Sequence, residues 1–373
     1  MVAAFVARRW DIPKDMFRVD VQRLHGGLEG MVAVARISGR GRQSRLPAQF
    51  IIKQLPAGFE READVYDTLW QQLARPPVMR VLGRQTSAGV TYLYLEHAQP
   101  SASWPWSDTT RAAAVCCELA KFHDTRQLPR ERFTWDYETE LARSAEATLS
   151  IAKYARDPAG QRYWRRLGDL RRVVGALPAI RARLLSGETT IIHGDVHPGN
   201  VILRDGGCDG QVVLIDWARA RVGSPLEDVA SWLHSLGCWE PQARRRHDTL
   251  MRAYLEARGV RAAFHADLRC QYWLACVSNG LSGAIRYHLA VLSDATPSES
   301  ARFDSHRALT AWTRVVRRAA ALESEGPRHG RSARSIALTG TSPPTRWVAR
   351  LGTAPTATVI AEAGSAANSS SSV

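Results

Sequence analysis

The stretch from Ile191 to Trp217, IIHGDVHPGNVILRDGGCDGQVVLIDW, constrains what this chain can fold into more than any other segment. It sets a His, two Asp and an Asn at short fixed offsets between apolar runs that read as buried strands. Asp195 and Asn200 stand five residues apart in HGDVHPGN, and Asp216 closes the run Val212-Val213-Leu214-Ile215. Strand–loop–strand geometry is expected to bring these polar side chains to one mouth of a small hairpin. Any one of them alone carries little, because Gly, Pro, Asn and Asp are also what an ordinary turn is made of. Together they say more. A base, an amide oxygen and a second carboxylate at one mouth suit the gripping of a Mg²⁺-nucleotide while a hydroxyl is prepared for attack.

The rest of the chain divides by pattern. Residues 15–99 read as strands with one helix: FRVDVQRLHGG, MVAVARIS, AQFIIKQL and VTYLYLEH are β-rich, and GFEREADVYDTLWQQL between them has a helical period. From residue 107 the pattern turns helical, beginning with SDTTRAAAVCCELAKFHD behind an N-cap at Ser107 or Asp108. Further helices are expected over 136–155, 160–175, 225–236, 241–257, 265–290 and 298–323, interrupted only by the β segment at 190–217. The expected fold is therefore α+β and bilobal. A small antiparallel β-sheet N-lobe (15–99), expected to bind nucleotide, precedes a larger, mainly helical C-lobe (100–325), expected to carry the catalytic loop and substrate pocket, with the join near His97–Pro105. Residues 326–373 are dominated by small, polar and turn-forming types and end in a serine tract, so a disordered tail is expected there.

Composition narrows the partners. The formal charge is +14, yet only four lysines occur (Lys14, Lys53, Lys121 and Lys153), so arginine carries nearly all of it. The arginines fall in pairs and triplets within helical stretches, as in Arg171-Arg172 and Arg244-Arg245-Arg246, which reads as solvated helix faces and not as a nucleic-acid footprint. No run approaches the ~20 apolar residues of a membrane span. The opening MVAAFVARR has its arginines after a short apolar run, the reverse of a secretory signal. The six cysteines form no C-x-x-C pair and no zinc spacing. A cytoplasmic protein with reduced thiols, no nucleic-acid partner and no membrane partner is expected; nothing in the sequence fixes an oligomeric state.

HGDVHPGN followed by Ile215-Asp216-Trp217 resembles the aminoglycoside phosphotransferase family, the small-molecule branch of the protein-kinase-like fold. The Asp-to-Asn offset is that of the protein-kinase loop H-R-D-L-x-x-x-N, with a metal-binding Asp further on. The resemblance covers roughly residues 20–320 and implies ATP and Mg²⁺ as cofactors and a hydroxyl of a small molecule as acceptor. Asp195 would accept or orient the proton of that hydroxyl, and Asn200 and Asp216 would hold Mg²⁺. Lys53, ending the strand QFIIKQL, resembles the lysine that pairs with nucleotide phosphates. Glu62 or Glu60 on the next helix would hold it, and the family's R-E-A pattern favours Glu62. Gly26, Gly27 and Gly30 stand where a phosphate-covering loop belongs, since backbone N–H groups approach phosphate closely only where no Cβ intervenes. Glu96 and His97 resemble the hinge whose backbone meets the adenine edge. His193 and His197 read as loop scaffold, and Asp228 resembles a helix-start Asp that buttresses the loop.

Only eight residues separate Asp216 from Pro225, and Asp216-Trp217-Ala218 stands where protein kinases have D-F-G. Both features point to a small substrate and to an enzyme without activation-loop control. The acceptor, an antibiotic such as an aminoglycoside or else a metabolite, would sit among helical-lobe residues, with Trp135, Asp136, Trp239, Trp273 and Tyr287 as candidates. The alternative to an enzyme is a non-catalytic kinase-like binding or regulatory module, against which intact Lys53, Asp195, Asn200 and Asp216 speak. Deleting residues 331–373 is expected to leave melting temperature and Mg²⁺-ATP binding within error of the full chain. A drop of several degrees in a thermal melt would show that Trp347-Val348 anchors the tail.

Overall fold

Large apolar residues occupy both faces of the amino-terminal strands, and the sheet they form is covered on both sides. The structure, a computed structural model, describes residues 1–24, 30–39, 46–55, 57–99, 108–154, 167–204, 212–239, 246–260, 266–294 and 296–324. The chain divides into a compact unit, Met1–Gly326, and a C-terminal unit, Pro327–Val373, and all described residues belong to the first. The expected tail, and most of the linker near His97–Pro105, thus lie outside the described residues.

The N-lobe runs α1 (Val2–Trp10), β1 (Phe17–Arg23), β2 (Val32–Gly39), β3 (Gln49–Leu55), α2 (Arg61–Gln72), β4 (Val81–Ser87) and β5 (Val90–Glu96). Its strands pair antiparallel in the order β1-β2-β3-β5-β4. Alternation along each strand sorts the side chains by face. Phe50 and Ile52 of β3 and Tyr94 of β5 turn to one side, where Phe5 and Val6 of α1 pack on them. Leu55, Leu93 and Leu95 turn to the other, against Val65, Tyr66 and Leu69 of α2. Lys53 shares that second face with Leu55, which puts its ammonium under α2. A register slip of one residue would move it to the α1 side.

Two of these elements are missing from the sequence expectation. Strand β4, VLGRQTS, is only part-buried and carries a glycine, so its alternation is weak. Its turn was the better signal, because Ala88 and Gly89 both have positive φ (50° and 76°), the two-residue hairpin geometry that matches strand twist. Helix α1 lies ahead of the expected start of the lobe. Phe5 stacks on Tyr94 with ring centroids 3.7 Å apart, and Gly83 admits it, since a Cβ there would stand 2.7 Å from the Phe5 ring.

The C-lobe continues with α3 (Thr109–His123), α4 (Tyr137–Tyr154), α5 (Leu167–Gly175) and α6 (Leu177–Leu185), the last absent from the expected set. Short strands follow: β6 (Thr190–Ile192), β7 (Val201–Leu203), β8 (Val212–Leu214) and β9 (Arg221–Gly223). Helices α7 (Pro225–Trp239), α8 (His247–Ala257), α9 (Ala266–Asn279), α10 (Ile285–Ser293) and α11 (Glu299–Ser324) complete it. The single helix expected over 265–290 is broken by a π-helical turn at Gly280–Ala284. A Cβ on Gly280 would stand 2.8 Å from the Trp312 ring, so a glycine is needed where this helix crosses α11. Arginines on helix faces such as Arg171, Arg172, Arg317 and Arg318 are exposed as expected, but Arg181 and Arg221 are buried. Part of the basic charge is therefore internal structure and not solvated surface. Among the described residues no helix is long and apolar enough to cross a membrane.

Removing the Phe5 ring opens a cavity between α1 and the sheet. Phe5→Ala is expected to cost about 3 kcal/mol in urea unfolding. An unchanged midpoint would show that α1 contributes nothing to the lobe.

Candidate active site

The loop segment forms two ribbons where one hairpin was expected. β7 pairs with β8, and β6 pairs with β9. Asn200 and Asp216 flank the β7–β8 ribbon, whose mouth is closed by a bond from Ile215 N to Asn200 O (3.0 Å). Asp195 sits outside that ribbon, on the turn that leaves β6. What joins it to the others is the Asn200 amide, whose Nδ2 donates to the Asp195 carbonyl (3.0 Å). That bond fixes the orientation of the buried amide. From the N-lobe side, Leu214 N donates to Pro77 O (2.7 Å), which ties the ribbon to the segment entering β4.

Lys53 reaches from the N-lobe to the end of the β7–β8 ribbon. Its Nζ donates to Glu62 Oε1 at 2.7 Å and to Asp216 Oδ1 at 2.9 Å. Glu62 is 1% exposed, whereas Asp216 is 48% exposed, so one carboxylate anchors the lysine from within and the other faces the cleft. Glu60 is not the partner; its carboxylate accepts from the backbone of Gly58 (2.8 Å). Burial disfavours the ammonium, but the two carboxylates outweigh it and hold the Lys53 pKa above the ordinary lysine value. Burial likewise works against the charge of Asp216, and Lys53 reverses it, so this carboxyl stays below its usual range. Asp216 has φ 65° and ψ 67°, a left-handed conformation costly for a residue with a Cβ. The turn Trp217–Arg219 starts directly after it, and Trp217 is fully buried.

The sequence profile of the phosphotransferase enzyme family matches residues 37–265, more than half of the chain. The chain belongs to the phosphotransferase enzyme family. It is accordingly a kinase-type enzyme with an alcohol group as acceptor. No protein with a curated description matches it in sequence. Solved structures of the same fold include a choline kinase from Cryptosporidium parvum Iowa II, with 10% identity, 87% of this chain and 98% of that chain covered, and a TM-score of 0.58. An ethanolamine kinase from Plasmodium vivax has 11% identity, covers 82% and 85%, and has a TM-score of 0.54. A spectinomycin phosphotransferase in complex with ADP and spectinomycin has 13% identity, covers 81% and 93%, and has a TM-score of 0.53. At these identities the likeness shows the protein-kinase-like fold.

In this member of the family the loop is braced from beneath by residues that motif reading only half found. Asp228, fully buried on α7, accepts from the backbone N–H groups of His193 (2.7 Å) and Gly194 (2.8 Å). His123 Nε2 donates to the same carboxylate at 3.1 Å. Tyr254 links His123 Nδ1 (2.9 Å) to Arg258 (3.0 Å). Asp228 was legible as a helix-start carboxylate, but His123 and Tyr254 come from other helices, and no sequence signal marks them. His193 itself is neutral. Burial lowers its pKa, its Nε2 donates to Ile215 O (2.9 Å), and its Nδ1 accepts from Asp195 N (3.2 Å). It thereby holds the Asp195 turn to the end of β8. Gly194 must be glycine: its φ is 82°, and a Cβ would collide with the Arg221 guanidinium and the Arg219 carbonyl.

The remaining expected residues are placed unequally. Gly26 and Gly27 lie outside the described residues. Gly30, with φ 131°, leads into β2, where Val32 pairs with Lys53. Glu96 ends β5 with its carboxylate on Arg204 (2.6 Å), and His97 Nδ1 meets Gln49 Nε2 (3.0 Å), so both side chains are engaged within the protein. His197 caps the Pro198–Asn200 turn by accepting from Gly199 N (3.1 Å). A cavity of about 410 Å³ opens beside the loop, lined by Phe133, Thr134, Trp135, Asp136, Arg221 and Val222. Trp135 and Asp136 thus border it; Trp273 packs against the core, Tyr287 is 49% exposed on α10, and the Trp239 side chain lies outside the described residues. Arg221 and Arg181 meet on buried Glu227 (2.8 and 2.7 Å), and the Arg221 guanidinium stacks 3.5 Å from the Tyr137 ring centroid.

Asp228 has its pKa held below the ordinary carboxylate value: burial pushes it up, and the hydrogen bond and charge of His123 more than reverse this. A depressed folded pKa means stability that is complete above the unfolded value near 3.8 and lost as pH falls through the folded one. Asp228→Asn is expected to cost about 3 kcal/mol at neutral pH, with the gap to the parent closing in acid. Equal urea midpoints at neutral pH would contradict a buttressing role.

Proposed function

We propose that this enzyme moves the γ-phosphate of ATP to a hydroxyl of a small molecule, with Mg²⁺, in the cytoplasm. The observation that carries this reading is the placement of Lys53 Nζ between buried Glu62 and half-exposed Asp216, 2.7 and 2.9 Å away. An ammonium fixed at a cleft by a buried carboxylate is a preorganised partner for phosphate oxygens and needs no rearrangement to receive them. A purely structural ion pair would not need its second carboxylate turned to the cleft on a strained backbone.

The donor chemistry fits Mg²⁺. Asp216 offers its second carboxylate oxygen, and Asn200 its amide oxygen, both hard ligands. Among the described residues no group of three or more His, Cys, Asp and Glu could hold a metal by itself. That matches a cation shared with nucleotide phosphates, which binds through one or two carboxylates. When bound, Mg²⁺ would neutralise charge on the phosphates. Lys53 would hold phosphate oxygens, and the backbone around Gly30, with Gly26 and Gly27, would cover them. The segment at Glu96 and His97 would receive the base through its main chain. Asp195 would accept the proton of the attacking hydroxyl, its turn held by His193, Asn200 and the Asp228 buttress. Its carboxylate accepts no side-chain hydrogen bond among the described residues, as suits a group that must bind a proton from substrate.

The cavity at Trp135 and Asp136 is the acceptor site in this reading. Its size suits a small hydroxylated compound, and choline, ethanolamine and spectinomycin, named for the similar structures, mark the range to screen. ADP release by the purified protein against hydroxylated metabolites and antibiotics identifies the acceptor. With that acceptor, Asp195→Asn is expected to keep ATP affinity near normal and lower kcat by ~10²–10⁴. Collapse of ATP affinity with kcat retained would show that Asp195 is not the base.

A further inference from the structure

Arg61, the first residue of α2, stands one position before Glu62. Its Nη1 donates to Ala218 O at 2.7 Å and its Nη2 to Ala220 O at 2.6 Å. The carbonyl between them, Arg219 O, accepts from Arg221 Nη1 at 3.3 Å. Consecutive carbonyls of the turn after Asp216 are thus each held by a guanidinium, while Ala220 N closes the turn on Trp217 O at 3.1 Å. Arg61 makes no ion pair among the described residues. Its charge is opposed first by burial and then by the neighbouring charge of Arg221, and its pKa is lowered. Two cations lie beside the Trp135 ring, 5.7 and 5.9 Å from its centroid; Arg221 is paired with Glu227, whereas Arg61 meets only carbonyls. Nothing in packing alone calls for that arrangement.

The contacts form a closed ring. Lys53 on β3 holds Glu62, Glu62 and Arg61 share one helix end, Arg61 holds the turn, the turn fixes Asp216, and Asp216 returns to Lys53. We infer that Arg61 is a positioning residue that locks the turn after Asp216 to α2, and so keeps the Asp216 carboxylate in the left-handed pose from which it meets Lys53 and the cation. The inference rests on the nucleotide and Mg²⁺ reading given above. It adds that α2 sets the metal ligand as well as the lysine, so the site is assembled permanently and not by a mobile segment. A lysine at this position could reach one carbonyl but could not span both, because the fork is a property of the planar guanidinium.

Calorimetric titration of the full chain with ATP, with and without Mg²⁺, tests this. In the parent protein Mg²⁺ should tighten ATP binding. Arg61→Met should lose about 10–100-fold of that Mg²⁺-dependent gain, while Mg²⁺-free affinity, set by Lys53 and the base-binding segment, stays close to the parent. Arg61→Lys should fall between the two and also serves if the methionine variant does not fold. Millimolar methylguanidinium should restore part of the gain to Arg61→Ala. Two results would overturn the inference: an undiminished Mg²⁺ gain in the variants, or equal losses with and without Mg²⁺ that track a lowered melting temperature. A parent protein that binds no nucleotide would overturn the underlying reading itself, and that is seen before any variant is made.

Discussion

The ammonium of Lys53 between Glu62 and Asp216 is the interaction on which the rest of the structure depends. Three separate parts of the chain must be in place for it to form: the register of β3, the start of α2 and the end of β8. Each has its own support. Alternation along β3 puts Lys53 on the face shared with Leu55 and sends Phe50 and Ile52 to α1. Val65, Tyr66 and Leu69 fasten α2 to that same face, which sets Glu62 at the depth the lysine can reach. A buried ion pair offsets its desolvation only when its geometry is good; here the apolar packing on both sheet faces supplies that geometry.

The C-lobe answers with a second set of buried charges. Asp228 gathers the backbone of His193 and Gly194 with the imidazole of His123, and Glu227 gathers Arg181 and Arg221. Both carboxylates belong to the first turn of α7, so one helix end organises the Asp195 loop and the wall of the neighbouring cavity. This explains why so short a connection suffices between Asp216 and α7. The segment that in protein kinases is long and movable is here one turn, Trp217–Arg219, and the three-residue strand β9, with Trp217 as a buried plug packed against Phe122 and His193.

Much of this was legible in the residues. Lys53, Asp195, Asn200 and Asp216 stood out because a polar group at the end of an apolar run has few structural reasons to be there, and the β-then-helical order followed from periodicity. Glu62 could be preferred to Glu60 only by resemblance, since spacing on a helix does not say which face meets a strand. What was not legible is what depends on distant contacts. Helix α1 is a short apolar run whose role appears only when Phe5 meets Tyr94. Strand β4 alternates too weakly to be seen without its partner. Two ribbons replace the expected hairpin because β9, only three residues long, claims β6. His123, Tyr254 and Arg221 are ordinary helix and strand residues until folding brings them to Asp228 and Glu227. Two arginines outside the pairs and triplets read as solvated helix faces, Arg181 and Arg221, are buried.

The proposed chemistry requires the cleft at Lys53, Asp216 and Asn200 to hold a divalent cation together with a nucleotide. The direct measurement is the electron paramagnetic resonance signal of Mn²⁺, standing in for Mg²⁺, titrated with the protein and a non-hydrolysable ATP analogue. Protein and nucleotide together are expected to immobilise Mn²⁺ well beyond what either does alone. Immobilisation no greater than that produced by the nucleotide by itself would contradict it.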